Sequence, residues 1–148
     1  PKKVLKLILP SKVTEFWPLV VEVLEKSLPP TTYASVDREN KILCSLTSGN
    51  MFLWISYSDE NVPVAALLTT VTLDECSGTK NLMIYALAAL NGATLEDNLW
   101  SEGLKALRVY AQQAKCHRIV AVTDNARVLE RVRALGGETK YQFVVIPA

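Results

Sequence analysis

The chain has little histidine, cysteine or glycine: one His, three Cys and six Gly among 148 residues. A lone His117 with no Cys or acidic cluster around it excludes a structural zinc site, so no metal is expected. Cys44, Cys76 and Cys116 are odd in number, far apart and without CxxC spacing. That reads as reduced thiols of a cytoplasmic-type protein, two of them partly buried. The run Val64 to Leu73, free of charge and proline, contains three threonines and is too short to span a bilayer. The opening "PKKVLKLILP" is basic, but its apolar part is short and ends in proline, which is not the order of a signal peptide. No repeat, low-complexity tract or Gly/Ser/Pro linker divides the chain.

What is present is apolar substance. Hydrophobic residues make up 49% and charged residues 21%, which implies one globular domain over residues 1–148. Net charge is +1, so nothing global points to nucleic acid. The charge is uneven: residues 1–104 hold 8 Lys/Arg against 12 Asp/Glu, and residues 105–148 hold 8 against 3. The reading for the basic half is two solvated helix faces.

The order of elements is the stronger signal. "KVLKLIL" (Lys3–Leu9) reads as a strand that Pro10 ends. Val13, Phe16, Val20, Leu24 and Leu28 then follow helical spacing. A start near Thr14 puts Pro18 in the first turn, where a missing N–H costs nothing. A shorter helix over 35–49 has Asp37 to cap it and Gly49 to end it. Met51–Tyr57 and Val62–Asp74 read as an antiparallel hairpin, with Trp54 in the core. Trp17 reads as a lid on the first helix. Asn81–Leu90 is apolar at nearly every position and reads as a strand covered on both faces. A long helix follows, with Thr94 as N-cap and Asp97 at N3 of an imperfect capping box. "HRIVAVT" reads as a buried strand. "DNARVLERVRALGG" reads as a short helix capped by Asp124 or Asn125, and "TKYQFVVI" as a last strand. The order β-α-α-β-β-β-α-β-α-β implies an α/β chain, an α+β mixed sheet with helices on both faces.

That order, and the cadence of "GLKALRVYAQQAKCHRIVAVTDNARVLERVRALGG", resembles the GCN5-related N-acetyltransferase (GNAT) fold. The likeness in element order covers nearly the whole chain; in motifs it covers Leu90 to Gly137. It implies an acetyl-CoA wedge where strand 81–90 splays from the strand after Cys116. It also implies a pyrophosphate loop of type [QR]-x-x-G-x-[GA] at the start of the long helix. Glycines there admit backbone N–H groups to the phosphates, and the helix dipole adds partial positive charge.

In this chain the loop position falls on "LEDNLW". Leu95 stands at the Arg/Gln position, and Asn98 and Trp100 at the glycines. No basic residue lies between Asn81 and Lys105, while Glu96 and Asp97 add carboxylates. Two carboxylates repel a pyrophosphate by roughly 1 kcal/mol per close pair even in a watery site. The family's general acid, a tyrosine, corresponds to Val132, which has no proton to give, so no catalytic residue is assigned. The family's aromatic after "LG" corresponds to Gly137. The helix-opening asparagine is kept as Asn125. Family members have two final strands, whereas eleven residues follow Gly137 here, enough for one strand. An open sheet edge of this kind is commonly paired with another chain.

Two readings follow. The first is a GNAT-fold protein that has lost acetyl-CoA-dependent catalysis and works as a binding or assembly module. It expects no cofactor, no membrane, a protein partner or self-association, and a cytoplasmic place or one in a viral or phage particle. Trp100, Arg127 and Arg131 are its partner-binding candidates. The alternative is a divergent acetyl-CoA-dependent N-acyltransferase on an amine. Its cofactor-binding candidates are Leu90, Asn91, Asn98, Trp100 and Asn125. His117 beside Cys116 is not read as a dyad, since neighbours on a strand point to opposite faces.

Overall fold

The computed structural model describes residues 5–33 and 37–148. Lys3 and Val4 of the expected first strand, and Ser35 and Val36 of the expected second helix, lie outside them. Strand β1 (Leu5–Ile8) leads into a 3-10 segment, Pro10–Phe16, and then helix α1 (Trp17–Lys26). Pro18 does sit in the first turn, but the α-helix begins at Trp17 and not at Thr14. The 3-10 segment carries Val13 into the core instead. Helix α2 (Arg38–Ser48) ends on Gly49 at φ 82°, the left-handed turn that glycine adopts without strain. Asp37 holds the N-cap position without a side-chain cap bond.

The strands β2 (Met51–Tyr57), β3 (Pro63–Asp74) and β4 (Thr79–Ala89) form an antiparallel meander. Helix α3 (Asp97–Gln113), strand β5 (Arg118–Ala121) and helix α4 (Ala126–Ala134) complete the set. The sheet order is β1-β2-β3-β4-β5, and only the β4/β5 pair is parallel. The mixed α/β sheet expected from the sequence is therefore present.

Its two faces are packed separately. One layer joins α1 and α2 to Leu53, Ile55, Ala66, Leu68, Ala86 and Ala88. Trp17 is partly buried and packs against this layer. The other layer joins α3, through Leu107 and Ala111, to Trp54, Leu67 and Leu82. Trp54 is buried, its indole N–H donates to Thr69 Oγ1 at 2.9 Å, and its ring meets Tyr110 edge-on.

Four expectations are corrected. The first is the final strand: residues 138–148 join no strand, and Tyr141, Phe143, Val144, Val145 and Ile146 are exposed. Their β propensity finds no partner within the chain, and propensity without a partner does not make a strand. The second is β5, which is shorter than "HRIVAVT" and only half-buried, because it lies at the sheet's edge. The third concerns the thiols: only Cys116 is partly buried, and Cys44 and Cys76 are exposed. The fourth is the start of α3, treated with the site below.

Two predictions follow from the second layer. Thr69→Val strands the buried indole N–H of Trp54 and should cost about 1–3 kcal/mol in urea denaturation. Adding Trp54→Phe should then cost less than the separate losses combined, since the partner is already gone. Burial, and next the Cys116 charge, raise the Tyr110 phenol above its ordinary 10.0. A raised folded-state value means stability is intact below pH 10 and lost as pH rises through the folded value. Tyr110→Phe should flatten that alkaline loss, read by thermal melts between neutral pH and pH 11 or so.

Candidate functional site

The site is built where β4 parts from β5. The parallel ladder holds four register pairs, Asn81–Arg118 to Ile84–Ala121, and then stops. Strand β4 continues for five residues, still paired with β3. At the parting point the β3/β4 register shifts, leaving Tyr85 without an opposite residue. This is a bulge, and Tyr85 and Ala86 both turn toward the α1/α2 layer. The bulge bends the strand just where its neighbour leaves it.

Backbone direction beyond the bulge follows from the ladder. The Leu90 N–H donates to Val64 O, so residues 86, 88 and 90 bond toward β3. Residues 87 and 89 therefore aim their N–H and C=O groups away from β3, into the opening. Two of those groups are engaged by the end of α1. The Leu87 N–H donates to Ser27 Oγ at 3.4 Å, and Lys26 Nζ donates to Ala89 O at 3.0 Å. Lys26 also pairs with Glu22 at 2.5 Å, one helical turn back. Sequence reading missed Lys26 and Ser27, because they lie some sixty residues from the strand they touch.

The link from β4 to α3 is tightly folded. Leu90 is fully buried, and its carbonyl accepts from Ala93 N. Asn91 and Gly92 both take positive φ, 55° and 69°. The Asn91 side chain donates to Pro63 O at 2.8 Å, tying the link to the start of β3. The expected capping box is not formed. Thr94 lies before the helix; Glu96 is the N-cap, and its carbonyl accepts from Leu99 N and Trp100 N. Asp97 is thus the first helical residue and not the third. The Glu96 side chain makes no cap bond to the helix. The N–H groups of Asp97 and Asn98 precede the first intrahelical bond and have no acceptor within the helix.

Asp97 is instead met by Arg131 of α4 in an ion pair across the two helices. Asp97 is 79% exposed and Arg131 40%, so the pair is a surface one, worth about 0–1 kcal/mol. Arg131 of α4 thus supplies a cation at a helix start whose own sequence neighbourhood has none.

Helix α4 is placed by Asn125, whose Oδ1 accepts from Arg127 N at 2.9 Å and Val128 N at 3.3 Å. Between the two caps the sequence allowed, Asn125 is the one used. Arg127 is exposed, and Trp100 is partly exposed and outside the buried core. Val132 packs against the turn that closes α4: its carbonyl accepts from Gly137 N at 2.8 Å. A Cβ on Gly137 would stand 2.4 Å from Val132 Cγ1, so a side chain at 137 requires Val132 to move. His117 is spent on the sheet. Its Nδ1 accepts from Lys80 N and its own N–H donates to Lys80 O. Among the described residues no group of three His, Cys, Asp or Glu could hold a metal.

The structure thus brings Leu90, Asn91, Asn98 and Arg131 to one end of the sheet, together with Lys26 and Ser27. Asn125→Ala should remove the α4 cap and cost about 1 kcal/mol in urea denaturation. Asp97→Ala should change stability by less than about 1 kcal/mol, because the pair it breaks is exposed.

No family model and no curated protein matches the chain. Solved structures do. AAC(6')-Iy, in complex with the bisubstrate analogue CoA-S-monomethyl-acetylneamine, aligns at TM-score 0.73 with 10% identity, covering 100% of this chain and 99% of the other. An aminoglycoside 6'-N-acetyltransferase from Acinetobacter baumannii aligns at TM-score 0.68 with 16% identity over 99% and 98%. A predicted acetyltransferase from Clostridium acetobutylicum, with acetyl-CoA, aligns at TM-score 0.70 with 10% identity over 99% and 96%. The chain therefore has the GNAT fold.

Proposed function

We propose that this chain is an acetyl-CoA-dependent N-acyltransferase acting on an amine. The observation that carries the reading is the opening between β4 and β5, with the Tyr85 bulge at its apex and the start of α3 beside its mouth. An extended, amide-bearing arm fits an edge whose N–H and C=O groups alternate into a gap. The acyltransferases of similar fold, one with acetyl-CoA and one with a CoA analogue, support the same choice.

The residues present fit such a cofactor with two adjustments. Ser27 stands on the Leu87 N–H, a group the arm would take, so it must yield that bond. The bond is long, and exchanging one neutral hydrogen bond for another costs little net energy. At the mouth, positive charge comes from Lys26 and Arg131 and not from the loop. Arg131 offers a planar fork to phosphate once it leaves Asp97. When bound, acetyl-CoA would supply an activated thioester. The chain's own part is to hold the carbonyl near the bulge and to keep the arm straight.

Val132 leaves the departing thiolate without a protein acid. A positioned acid contributes about 10²–10⁴-fold, so its lack predicts slow turnover and not none.

The test is thermal stability with acetyl-CoA at a hundred times a micromolar Kd, where binding should stabilise the fold by about 2.7 kcal/mol. Ser27→Ala should tighten binding by freeing the Leu87 N–H, and Arg131→Ala should weaken it. No shift with acetyl-CoA at millimolar concentration would sink the reading. A second reading would then stand: a non-catalytic binding and assembly module, favoured by Val132, by the carboxylates at the α3 start, and by α1 already filling the β4 edge. Its partner candidates would be Trp100, Arg127 and Arg131.

A further inference from the structure

The end of α1 presents an amine to the opening between β4 and β5. Lys26 is the last residue of that helix. Val23 and Leu24, on the turn before it, are buried, so the root of Lys26 is fixed while its four-carbon stem can swing. Ser27 leaves the helix in an extended conformation, φ −152° and ψ 113°, with its hydroxyl on the Leu87 N–H. That contact sets Lys26 beside the free edge of β4, just beyond the Tyr85 bulge.

The head of Lys26 is held as an acceptor amine would be held. Its Nζ donates to Glu22 Oε2 at 2.5 Å and to Ala89 O at 3.0 Å. A carboxylate on one side and an outward strand carbonyl on the other satisfy a primary ammonium. Two other lysines pair with a glutamate one turn away, Lys12 with Glu15 and Lys105 with Glu102. Their side chains are 59% and 70% exposed, against 48% for Lys26, so a reagent from solvent would reach them first. Among the described residues, only Lys26 joins a glutamate carboxylate to a carbonyl of the opening.

We propose that Lys26 is a self-acetylation site, taking the acetyl group of an acetyl-CoA held along the free edge of β4 in the same chain, with Glu22 as the base. The inference rests on the acyltransferase reading above. The Lys26 ammonium gives one proton to Glu22, which passes it to solvent. The freed lone pair on Nζ attacks the thioester carbon, and a C–N bond forms as the C–S bond breaks. The second proton, shed as the amide forms, goes to the departing sulfur. The products are an acetamide on Lys26, the CoA thiol and a proton released to water. Donor and acceptor share one fold, so the step is unimolecular and gains the high effective concentration of a positioned pair. The acetamide carries no charge, so the reaction dissolves the Glu22–Lys26 pair.

The experiment is intact-mass and peptide mapping of the full chain after incubation with acetyl-CoA, beside the same chain given S-acetyl-N-acetylcysteamine, a thioester without the nucleotide. With acetyl-CoA a single acetyl group is expected on Lys26, faster than on Lys12 or Lys105 and at a rate independent of chain concentration. The nucleotide-free thioester should show no such preference. Lys26→Arg keeps the cation and should lose the label. Glu22→Gln should slow labelling of Lys26 by about 10²-fold or more, with an unchanged melt. Thermal shift with CoA on the same samples separates this inference from the reading it rests on. A shift with Lys26 labelled no faster than Lys12 and Lys105 would overturn self-acetylation and leave the acyltransferase standing. So would labelling that Glu22→Gln leaves unchanged, or that rises with chain concentration. Neither shift nor label would overturn both.

Discussion

Four register pairs hold β5 to β4, and the end of that short ladder governs the whole open side of the molecule. A fifth pair would close the gap into which Leu87 and Ala89 turn their backbone groups. The Tyr85 bulge prevents it, by twisting β4 away from the direction β5 keeps. The bulge is stable because both faces of β4 are packed. Ala86 and Ala88 serve the α1/α2 layer, while Leu82 and Leu87 serve the α3 layer. The small alanines let α1 approach closely, so that Lys26 and Ser27 reach the strand's edge. The same constraint thus makes the opening and brings in the side chains that occupy part of it.

Charge at this end of the sheet is arranged by tertiary contact. A helix start favours an anion by about 0.3–1 kcal/mol when exposed. Asp97 supplies one from within the helix, and Arg131 balances it from α4. A mostly exposed ion pair is weak enough to be exchanged. An arginine held by an exposed carboxylate can turn to a phosphate of greater charge at little cost. Carboxylates at a helix start therefore do not by themselves exclude an anion, provided a mobile cation stands beside them.

Strand and helix order was legible because it rests on local pattern. Met51–Tyr57 is rich in aromatic and branched residues and flanked by turn residues, and β2 has those bounds. Gly49 and Asn125 announce a helix end and a helix start through chemistry confined to a turn. The β4-to-α3 link was misread because Thr94 looks like a cap. The turn is instead set earlier, by buried Leu90 and the positive-φ pair Asn91 and Gly92, which delay the helix to Asp97. Lys26 and Ser27 carried no local signal, since each matters only through a distant element, and Arg131 was legible as a surface cation but not as the partner of Asp97. The apolar tail was legible as strand-prone but not as unpaired, because pairing depends on a second edge being within reach.

Val132 and Gly137 are best understood as one packing event. The space beside Val132 Cγ1 is the space a side chain at residue 137 would need. A side chain at residue 137 would have to displace Val132 or shift the closing turn. The turn at Gly136 and Gly137 sets the direction in which residues 138–148 leave α4. That turn links the chemistry proposed for the opening to the fate of the apolar tail.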